Sequence, residues 1–324
     1  MGAVARKPRP KRDGRPRSEQ RKRIFLQYQY VEQRSDEAAR RSEGIDFRSR
    51  PPLDTSLLGP RRRRMTIVTL LSDFGSADTY VGQMKGALLS VAPDAVLVDL
   101  THAIAPQDVR GAAFHLWAAV EAFPPGTVHL AVVDPGVGTR RRAIAARVRR
   151  GDFLVGPDNG LLSPALARLG GIEAAVEIVR TPGRRGDVSR TFHGRDIFAP
   201  AAGHLARGGR LAGLGPPCAR LDVRIELPPY RREGRRIVGE VLHVDGYGNL
   251  VTNLPASELP PSFVVEIGAR RIAGPRSSYQ AVPRGRALAL AGGSGLLELA
   301  VRDGSASRRF SAGAGNPVAV APVS

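Results

Sequence analysis

The feature that most limits how this chain can fold is an apolar run that stops at an acid, a tight turn and two cations. The run Val128–Val133 predicts a buried strand, because parallel strands covered on both faces are apolar almost throughout. Pro135-Gly136 cannot continue a central strand, so Asp134 falls at the carboxyl end of this one. Open α/β sheets bind their ligands at that end. Asp134 therefore marks a candidate ligand site, with a solvated Asp-Pro-Gly turn as the alternative.

The same order of strand, polar turn and helix recurs in the first two thirds of the chain. Apolar runs predict strands at 66–71 and 96–100, each followed by a helix, the first over 80–91 and the second from Pro106 onward. Further strands are predicted at 143–148, 153–155 and 174–179, and a further helix at 197–205. Alternating strands and helices indicate a mostly parallel sheet with helices on both faces.

Helical patterns disappear after Gly213–Pro217, a segment rich in glycine and proline. Short apolar runs separated by turns replace them, and strands are predicted at 237–243, 250–252, 263–267, 287–290, 296–301 and 317–320. This pattern is typical of a small antiparallel β-barrel or sandwich. We therefore predict an α/β domain over residues 65–222 and a C-terminal β-barrel domain over residues 223–324.

The net charge of +19 is concentrated at the N-terminus. Residues 1–64 hold 19 Lys and Arg against 8 Asp and Glu, whereas the other 260 residues hold 30 against 22. The segment has few apolar residues and no sustained periodicity, which predicts a disordered basic extension. Its run Arg61–Arg64 is a candidate nucleic-acid contact, with a solvated extension as the alternative.

The remaining composition is typical of a cytoplasmic globular protein. A chain of 324 residues with 42% hydrophobic residues can bury a sizeable core. The single cysteine, Cys218, excludes a disulfide framework and a cysteine-based zinc cluster. No apolar run approaches the ~20 residues that cross a bilayer, and the N-terminus lacks the apolar core of a secretory signal. We therefore expect neither export nor a membrane anchor.

Polar residues also follow other predicted strands. Asp73 stands where a carboxylate binds the two hydroxyls of a ribose or, alternatively, caps the following turn. His102 is interpreted as a structural histidine. His193 is a functional candidate, because Gly194 beside it leaves space for a ligand. The segment Asp245–Asn249 is typical of a hairpin turn, although its tyrosine and asparagine would also suit a purine.

Several common catalytic motifs are missing from the sequence. It contains no glycine-rich phosphate cradle of either common spacing, no HExxH and no nucleophile elbow. Phosphate chemistry and serine hydrolysis are therefore poorly supported.

Seven segments, in this order, give the sequence a resemblance to the S-adenosyl-L-methionine (SAM) hydroxide adenosyltransferase family, the relatives of the SAM-dependent fluorinase and chlorinase. The resemblance covers residues 66 to about 323. The segments are Ser72–Gly75, Tyr80–Gly86, Asp99–His102, Asp134–Thr139, Pro157–Leu161, Thr191–Asp196 and Asp245–Asn249. This resemblance implies a homotrimer in which SAM lies between neighbouring subunits.

The family's functional residues can be placed on this sequence by the same segments. Its water-activating triad falls on Asp134, Arg141 and His193, its ribose-binding acid on Asp73 and its adenine-binding asparagine on Asn249. Further substrate contacts are implied for Tyr80, Asp245, Tyr247 and Ser294. The segment 294–303 departs from the family pattern, because Leu296 stands where a tyrosine is usual and Arg302 where an asparagine is common.

The implied reaction is hydrolysis of SAM to adenosine and L-methionine, by attack of an activated water on ribose C5′. The sulfonium makes methionine a good leaving group, so the expected task is to position the nucleophile, and no metal or cofactor is expected. One alternative is a halogenase of the same family, but that branch replaces the triad aspartate and histidine and has a loop where this chain has only the turn Arg150–Asp152. A second alternative is a nucleoside-sensing protein that binds nucleic acid through residues 1–64.

Overall fold

The computed structural model describes residues 65–183 and 187–323, and the predicted extension 1–64 lies outside the described residues. The first of its two sheets has six strands. They are β1 (Ile67–Ser72), β2 (Val96–Thr101), β3 (Val128–Val132), β4 (Ala143–Val148), β5 (Phe153–Pro157) and β6 (Ile172–Glu177). Their order is β2-β1-β3-β5-β4-β6.

The first sheet is mostly parallel, as the sequence predicts. β1 pairs in parallel with β2 and β3, and β3 pairs in parallel with β5. β4 is antiparallel to both of its neighbours, β5 and β6. The tight turn at Gly151, whose φ is 98°, explains the antiparallel pairing of β4 with β5, because a parallel pair needs a connection of a dozen or more residues.

Helices cover both faces of this sheet. They are α1 (Tyr80–Val91), α2 (Val109–Ala119), α3 (Ser163–Arg168) and α4 (Ala199–Ala206), the last preceded by a π-helical turn at Gly194–Phe198. α1 and α4 pack in one apolar core with Leu70, whereas α2 and α3 pack in a second core with Leu71. The two leucines are neighbours on β1, so the alternation of a strand's side chains places one in each core.

The second helix begins three residues later than predicted. Pro106 is not its first residue, since α2 starts at Val109 and the Asp108 side chain accepts a hydrogen bond from Gly111 N at 2.8 Å. Gln107 has a φ of 67°, in the left-handed region, and so cannot belong to the helix. This backbone turn lies beside the candidate site.

The second sheet is antiparallel and has eight strands. They are β7 (Arg231–Glu233), β8 (Arg236–Val244), β9 (Leu250–Pro255), β10 (Phe263–Ile267), β11 (Arg270–Gly274), β12 (Ala287–Ala291), β13 (Leu296–Val301) and β14 (Pro317–Pro322). The order is β11-β10-β14-β8-β9-β13-β12, with β7 paired to β8. Arg276 N, just after β11, donates to Ala289 O of β12 at 2.8 Å. This contact brings the two end strands together, so the sheet is nearly closed like a barrel.

Both sheets belong to one compact unit. The boundary that the sequence predicts, near residue 222, falls in the segment between α4 and β7. The short strands β7 and β11 and the helix α3 are present in the structure but were not predicted. No helix among the described residues combines the length and the apolar character needed to cross a membrane.

Candidate active site

The carboxyl ends of β1 and β3 open at the same edge of the first sheet. Ser72, the last residue of β1, pairs with Val132, the last residue of β3. The acids that follow, Asp73 and Asp134, therefore emerge side by side. The candidate ligand site thus lies at the strand edge that the sequence predicts.

Asp134, Arg141 and His193 are in direct contact. Arg141 Nε donates to Asp134 Oδ1 at 2.9 Å and to Oδ2 at 3.0 Å, and Arg141 Nη2 makes a short contact with the same Oδ2. Arg141 Nη2 also lies 2.7 Å from His193 Nδ1. The guanidinium therefore joins the carboxylate to the imidazole, a geometry that its planar fork of donors favours.

The contact with Arg141 fixes where the His193 ring carries its proton. A guanidinium nitrogen only donates, so His193 Nδ1 must be the acceptor and the neutral ring carries its proton on Nε2. Burial lowers the pKa of His193 below its ordinary value of 6.5, and the charge of Arg141 lowers it further, against weaker opposite effects of Asp134 and Asp196. His193 is therefore neutral at pH 7.

The loop after β3 is held tightly in place. Val137 N donates to Asp134 O at 3.1 Å, which closes a turn. Gly138 has a φ of 76°, and a Cβ at this position would lie 2.5 Å from Arg190 O. Only glycine fits both conditions, so this residue lets the Asp134 loop pack against the segment that leads to His193.

A cavity of about 360 Å³ opens beside the triad. Its lining residues are Asp73, Phe74, Tyr80, Gln107, Val132, Asp134, Pro135, Val137, Thr191, Phe192, His193 and Gly194. Asp134 and His193 thus face the cavity, whereas Arg141 lies behind them and contacts both. A second groove, of about 430 Å³, is lined mainly by apolar residues of α3 and 221–227, and its charged residues Arg224 and Glu226 are exposed. It has no comparable group of converging polar side chains.

Three aromatic rings form one wall of the cavity. The Phe192 ring lies edge-on to Phe74 and Tyr80, with centroids 5.6 Å and 5.3 Å away. Such a wall suits a flat, apolar ring system. Of the three, sequence reasoning named only Tyr80. Phe74 and Phe192 lie beside polar residues in the segments Ser72–Gly75 and Thr191–Asp196. This position in the sequence could have indicated that they contact a ligand.

Asp73 is oriented by a residue that sequence reasoning missed. Its Oδ2 accepts a hydrogen bond from Gln107 N at 2.9 Å. Gln107 N points in this direction because the residue has a left-handed backbone, which is uncommon for residues other than glycine. The hydrogen bonds among the described residues leave Asp73 Oδ1 available to a ligand.

The remaining predicted contact residues lie on hairpin turns of the second sheet and do not line the cavity. Asp245 Oδ1 accepts from the backbone nitrogens of Tyr247 and Asn249, at 2.9 Å and 2.8 Å, and its Oδ2 accepts from Asn249 Nδ2 at 3.0 Å. Asp245 therefore folds the turn, while the Tyr247 side chain is 84% exposed. Ser294 lies on the turn between β12 and β13.

Two further groups lie close to the Asp245 turn. Tyr279 Oη donates to Glu298 Oε1 at 2.6 Å, and this bond raises the pKa of Tyr279 to about 12. Burial raises the pKa of Glu298, and the nearby charge of Asp245 adds to this effect. Among residues 65–183 and 187–323, no three His, Cys, Asp or Glu side chains are grouped to hold a metal ion.

Two family models match this chain. The model of the SAM hydroxide adenosyltransferase N-terminal domain matches residues 68–215, and that of the C-terminal domain matches residues 239–319.

Curated relatives match between 60% and 78% of the chain. The chain is 44% identical over 262 residues to a protein of Thermus thermophilus named (R)-S-adenosyl-L-methionine hydrolase, a match that covers 78% of this chain and 99% of the relative. It is 47% identical over 195 residues to a protein of the same name from Salinispora tropica, covering 60% and 74% of the two chains. A fluorinase from an Actinoplanes species is more distant, at 30% identity over 60% of this chain and 73% of the fluorinase.

Solved structures agree with this grouping. An uncharacterized conserved protein from Thermotoga maritima superposes with a TM-score of 0.73 at 33% identity, covering 78% of this chain and 99% of that one. A conserved hypothetical protein from Thermus thermophilus gives a TM-score of 0.65 at 42% identity, covering 79% and 100%.

Proposed function

The chain belongs to the SAM hydroxide adenosyltransferase family, and on that premise we propose that it hydrolyses SAM to adenosine and L-methionine. The observation that carries this proposal is the contact of Asp134, Arg141 and His193 beside the cavity. The relatives named hydrolase are 44% and 47% identical to this chain, against 30% for the fluorinase, which supports the same activity.

The nucleophile is a water molecule held between Asp134 and His193, the two triad residues that line the cavity. Its oxygen attacks ribose C5′ in line with the bond to sulfur, that bond breaks, and its electron pair stays on the sulfur of neutral methionine. One proton is released from the water. Because the sulfonium leaves readily, orienting the water accounts for most of the catalysis.

The proton of the water goes to Asp134. His193 Nδ1 is occupied by Arg141 and its Nε2 carries hydrogen, so His193 donates a hydrogen bond to the water and cannot accept its proton. Asp134 accepts from Arg141 with both oxygens but keeps lone pairs for the water. Arg141 acts through these two residues, because it aligns both side chains without lining the cavity.

The rest of the substrate occupies the cavity beside the triad. Asp73 Oδ1 accepts from the ribose hydroxyls, and the aromatic wall of Phe74, Tyr80 and Phe192 packs against the nucleoside. Asp245, Tyr247, Asn249 and Ser294 lie outside the cavity, so in this proposal they come from a neighbouring subunit of a homotrimer. An exposed tyrosine beside a buried asparagine supports a surface that is covered in the assembly.

The proposal needs no metal or cofactor, because the substrate carries its own leaving group and the triad supplies the acceptor. We place the enzyme in the cytoplasm, because the single Cys218 fits a reducing compartment. Halide transfer is the less favoured reaction, since the triad is complete and β4 and β5 are joined by the tight turn at Gly151.

The reaction is tested by incubating the purified enzyme with SAM in oxygen-18 water, with and without chloride, and separating the products by chromatography with mass detection. We expect adenosine and methionine in equal amounts, with the heavy oxygen in adenosine. Accumulation of 5′-chloro-5′-deoxyadenosine, or heavy oxygen in another product, would contradict the proposal.

A further inference from the structure

The loop after β1 is held by the chain that follows β2. Residues 72–75 carry Asp73 and Phe74 into the cavity. Gly75 N donates to His102 O at 2.8 Å, and Ser72 Oγ lies 2.7 Å from His102 Nδ1. His102 therefore holds both ends of this loop, one through its backbone and one through its side chain.

The contacts around His102 are consistent with one assignment of donors and acceptors, in which the ring hydrogen is on Nε2. Ser72 Oγ accepts from Phe74 N at 3.3 Å, so its hydroxyl hydrogen is free to donate to His102 Nδ1. His102 Nε2 then carries hydrogen and lies 3.1 Å from Asp99 Oδ1, within ion-pair distance but without the geometry of a hydrogen bond. Ser72, His102, Asp99 and Lys85 thus form a series of polar contacts that links the cavity loop to the helix α1, because Asp99 Oδ2 accepts from Lys85 Nζ at 2.6 Å.

The charge at the outer end of this chain is fixed. Burial alone would raise the pKa of Asp99, but the hydrogen bond and charge of Lys85, together with the contact with His102, outweigh it and lower the pKa below its ordinary value of 3.8. Asp99 is therefore an anion at neutral pH and holds the hydrogen of His102 on Nε2. That leaves Nδ1 to accept from Ser72.

Ser72, His102 and Asp99 are the residue types of a nucleophilic triad, but they cannot act as one. Ser72 is completely buried, so its hydroxyl does not reach a substrate. The cavity is lined by the residues that follow it, Asp73 and Phe74. The contacts of His102 thus act on the position of the loop and not on a reacting atom.

We propose that His102, held by Asp99 and Lys85, is a positioning residue that sets the Asp73 loop for binding the nucleoside. This inference rests on the proposed function, in which Asp73 binds the ribose. His102 contributes before the chemical step, because its contacts hold Asp73 equally in the ground and transition states. Its loss therefore raises KM and leaves kcat nearly unchanged.

The chain contains a matched control. His129 Nδ1 lies 2.8 Å from Thr69 Oγ1, a hydroxyl of the same strand β1, and His129 Nε2 lies 3.8 Å from Asp152 Oδ1. This second histidine is fully buried and belongs to the same sheet, but it does not line or adjoin the cavity. Replacing it tests the general cost of removing a buried histidine.

The test compares steady-state kinetics and melting temperature for the wild type, His102→Ala, His102→Asn and His129→Asn. We expect His102→Ala to raise KM for SAM about tenfold with kcat within about threefold, the effect of losing one buried hydrogen bond. His102→Asn keeps an acceptor for the Ser72 hydroxyl, so we expect KM within about threefold of the wild type. His129→Asn should lower the melting temperature and leave KM unchanged.

If His102→Ala does not fold, Ser72→Ala tests the same contact from the other side. It removes only one hydroxyl, the partner of His102 Nδ1. It should raise KM in the same way, and its effect should not add to that of His102→Ala where both can be measured. An active wild type whose folded His102→Ala and Ser72→Ala variants keep its KM would overturn the inference, as would an equal rise in KM in His129→Asn. A wild type that forms no adenosine would instead overturn the proposed function.

Discussion

Arg141 Nη2 lies 2.7 Å from His193 Nδ1, while the same guanidinium holds the Asp134 carboxylate through Nε at 2.9 Å and 3.0 Å. One cation thus determines the state of both groups that face the cavity. It adds to the burial that lowers the pKa of His193, it places the hydrogen of the neutral ring on Nε2, and it holds the Asp134 carboxylate at the edge of the cavity.

Arg141→Lys should lower kcat about 100-fold, because a point charge cannot hold a carboxylate and an imidazole at once. The matched control is Arg142→Lys. Arg142 pairs with Asp158 and Asp222 and does not line the cavity, so its variant should keep kcat within about threefold. If both variants are folded and have equal kcat values, the planar guanidinium of Arg141 has no special role in catalysis.

The kcat/KM of the wild type should fall in acid. Protonation of His193 would place a hydrogen on Nδ1 against the Arg141 N–H, and burial and this charge both lower the pKa of His193. We therefore expect kcat/KM to be constant well above pH 6.5 and to fall as the pH decreases through a value below 6.5. A profile of kcat/KM against pH measures this midpoint, because kcat/KM reports the pKa values of the free enzyme. A midpoint above 6.5 would contradict the neutral-histidine account.

Gly138→Ala should disturb the Asp134 loop. Its Cβ would lie 2.5 Å from Arg190 O, and its φ of 76° is already unfavourable for alanine. The matched control is Gly151→Ala, which has a φ of 98° but no atom within 4 Å of the added Cβ. We expect about 1 kcal/mol of destabilisation for Gly151→Ala and about 2 kcal/mol more for Gly138→Ala, together with a loss of kcat only in the latter. Denaturant unfolding and initial rates measure both effects, and indistinguishable variants would refute the close packing.

Acid should also reduce the stability of the fold. Burial is the main cause that lowers the pKa of His115, His129 and His243, and the charge of His243, whose ring lies 4.6 Å from that of His115, lowers the pKa of His115 further. The unfolded chain then binds more protons than the folded one below the ordinary value of 6.5, so stability is full above pH 6.5 and is lost as the pH falls.

Urea unfolding between about pH 8 and pH 5 measures this dependence. His243→Phe keeps a ring in contact with His115 and removes one ionising group, so its stability should depend less on pH. A wild type that gains stability on acidification from pH 7 would show that the sign is wrong.

The proposed site between neighbouring subunits can be tested by mixing subunits. Asp134→Asn changes a residue that lines the cavity, and Asn249→Ala changes a residue on the hairpin turn between β8 and β9. If one site needs both from neighbouring subunits, coexpressed variants should form some sites with both halves intact and recover part of the activity that each lacks alone. If the coexpressed protein is no more active than the more active of the two variants alone, both residues belong to a site within one subunit.

The strand ends were predictable from the sequence because apolar runs that stop at an acid fix both the strand and the edge where the acid emerges. Asp73 and Asp134 follow this rule. The position of Arg141 behind the cavity, and the proton on His193 Nε2, depend on side-chain contacts between distant segments that no local pattern shows. Gln107 was missed for a different reason, because its left-handed backbone departs from the usual preference of its residue type.

The second sheet shows the same limit. Its other strands contain apolar runs that the sequence shows, whereas β7 has only three residues and β11 begins with two exposed arginines. The two interpretations of the Asp245 turn could not be separated, because a residue that folds a hairpin and one that binds a ligand use the same side-chain oxygens.

The central claim is that Asp134 accepts the proton of the attacking water, and the kinetics of Asp134→Asn test it most directly. The account predicts a folded enzyme that binds SAM within about threefold of the wild type, through Asp73, but turns it over about 100-fold more slowly or worse. Asp73→Asn should do the reverse and weaken SAM binding first. A folded Asp134→Asn enzyme whose kcat stays within about threefold of the wild type would show that this acid only shapes a turn.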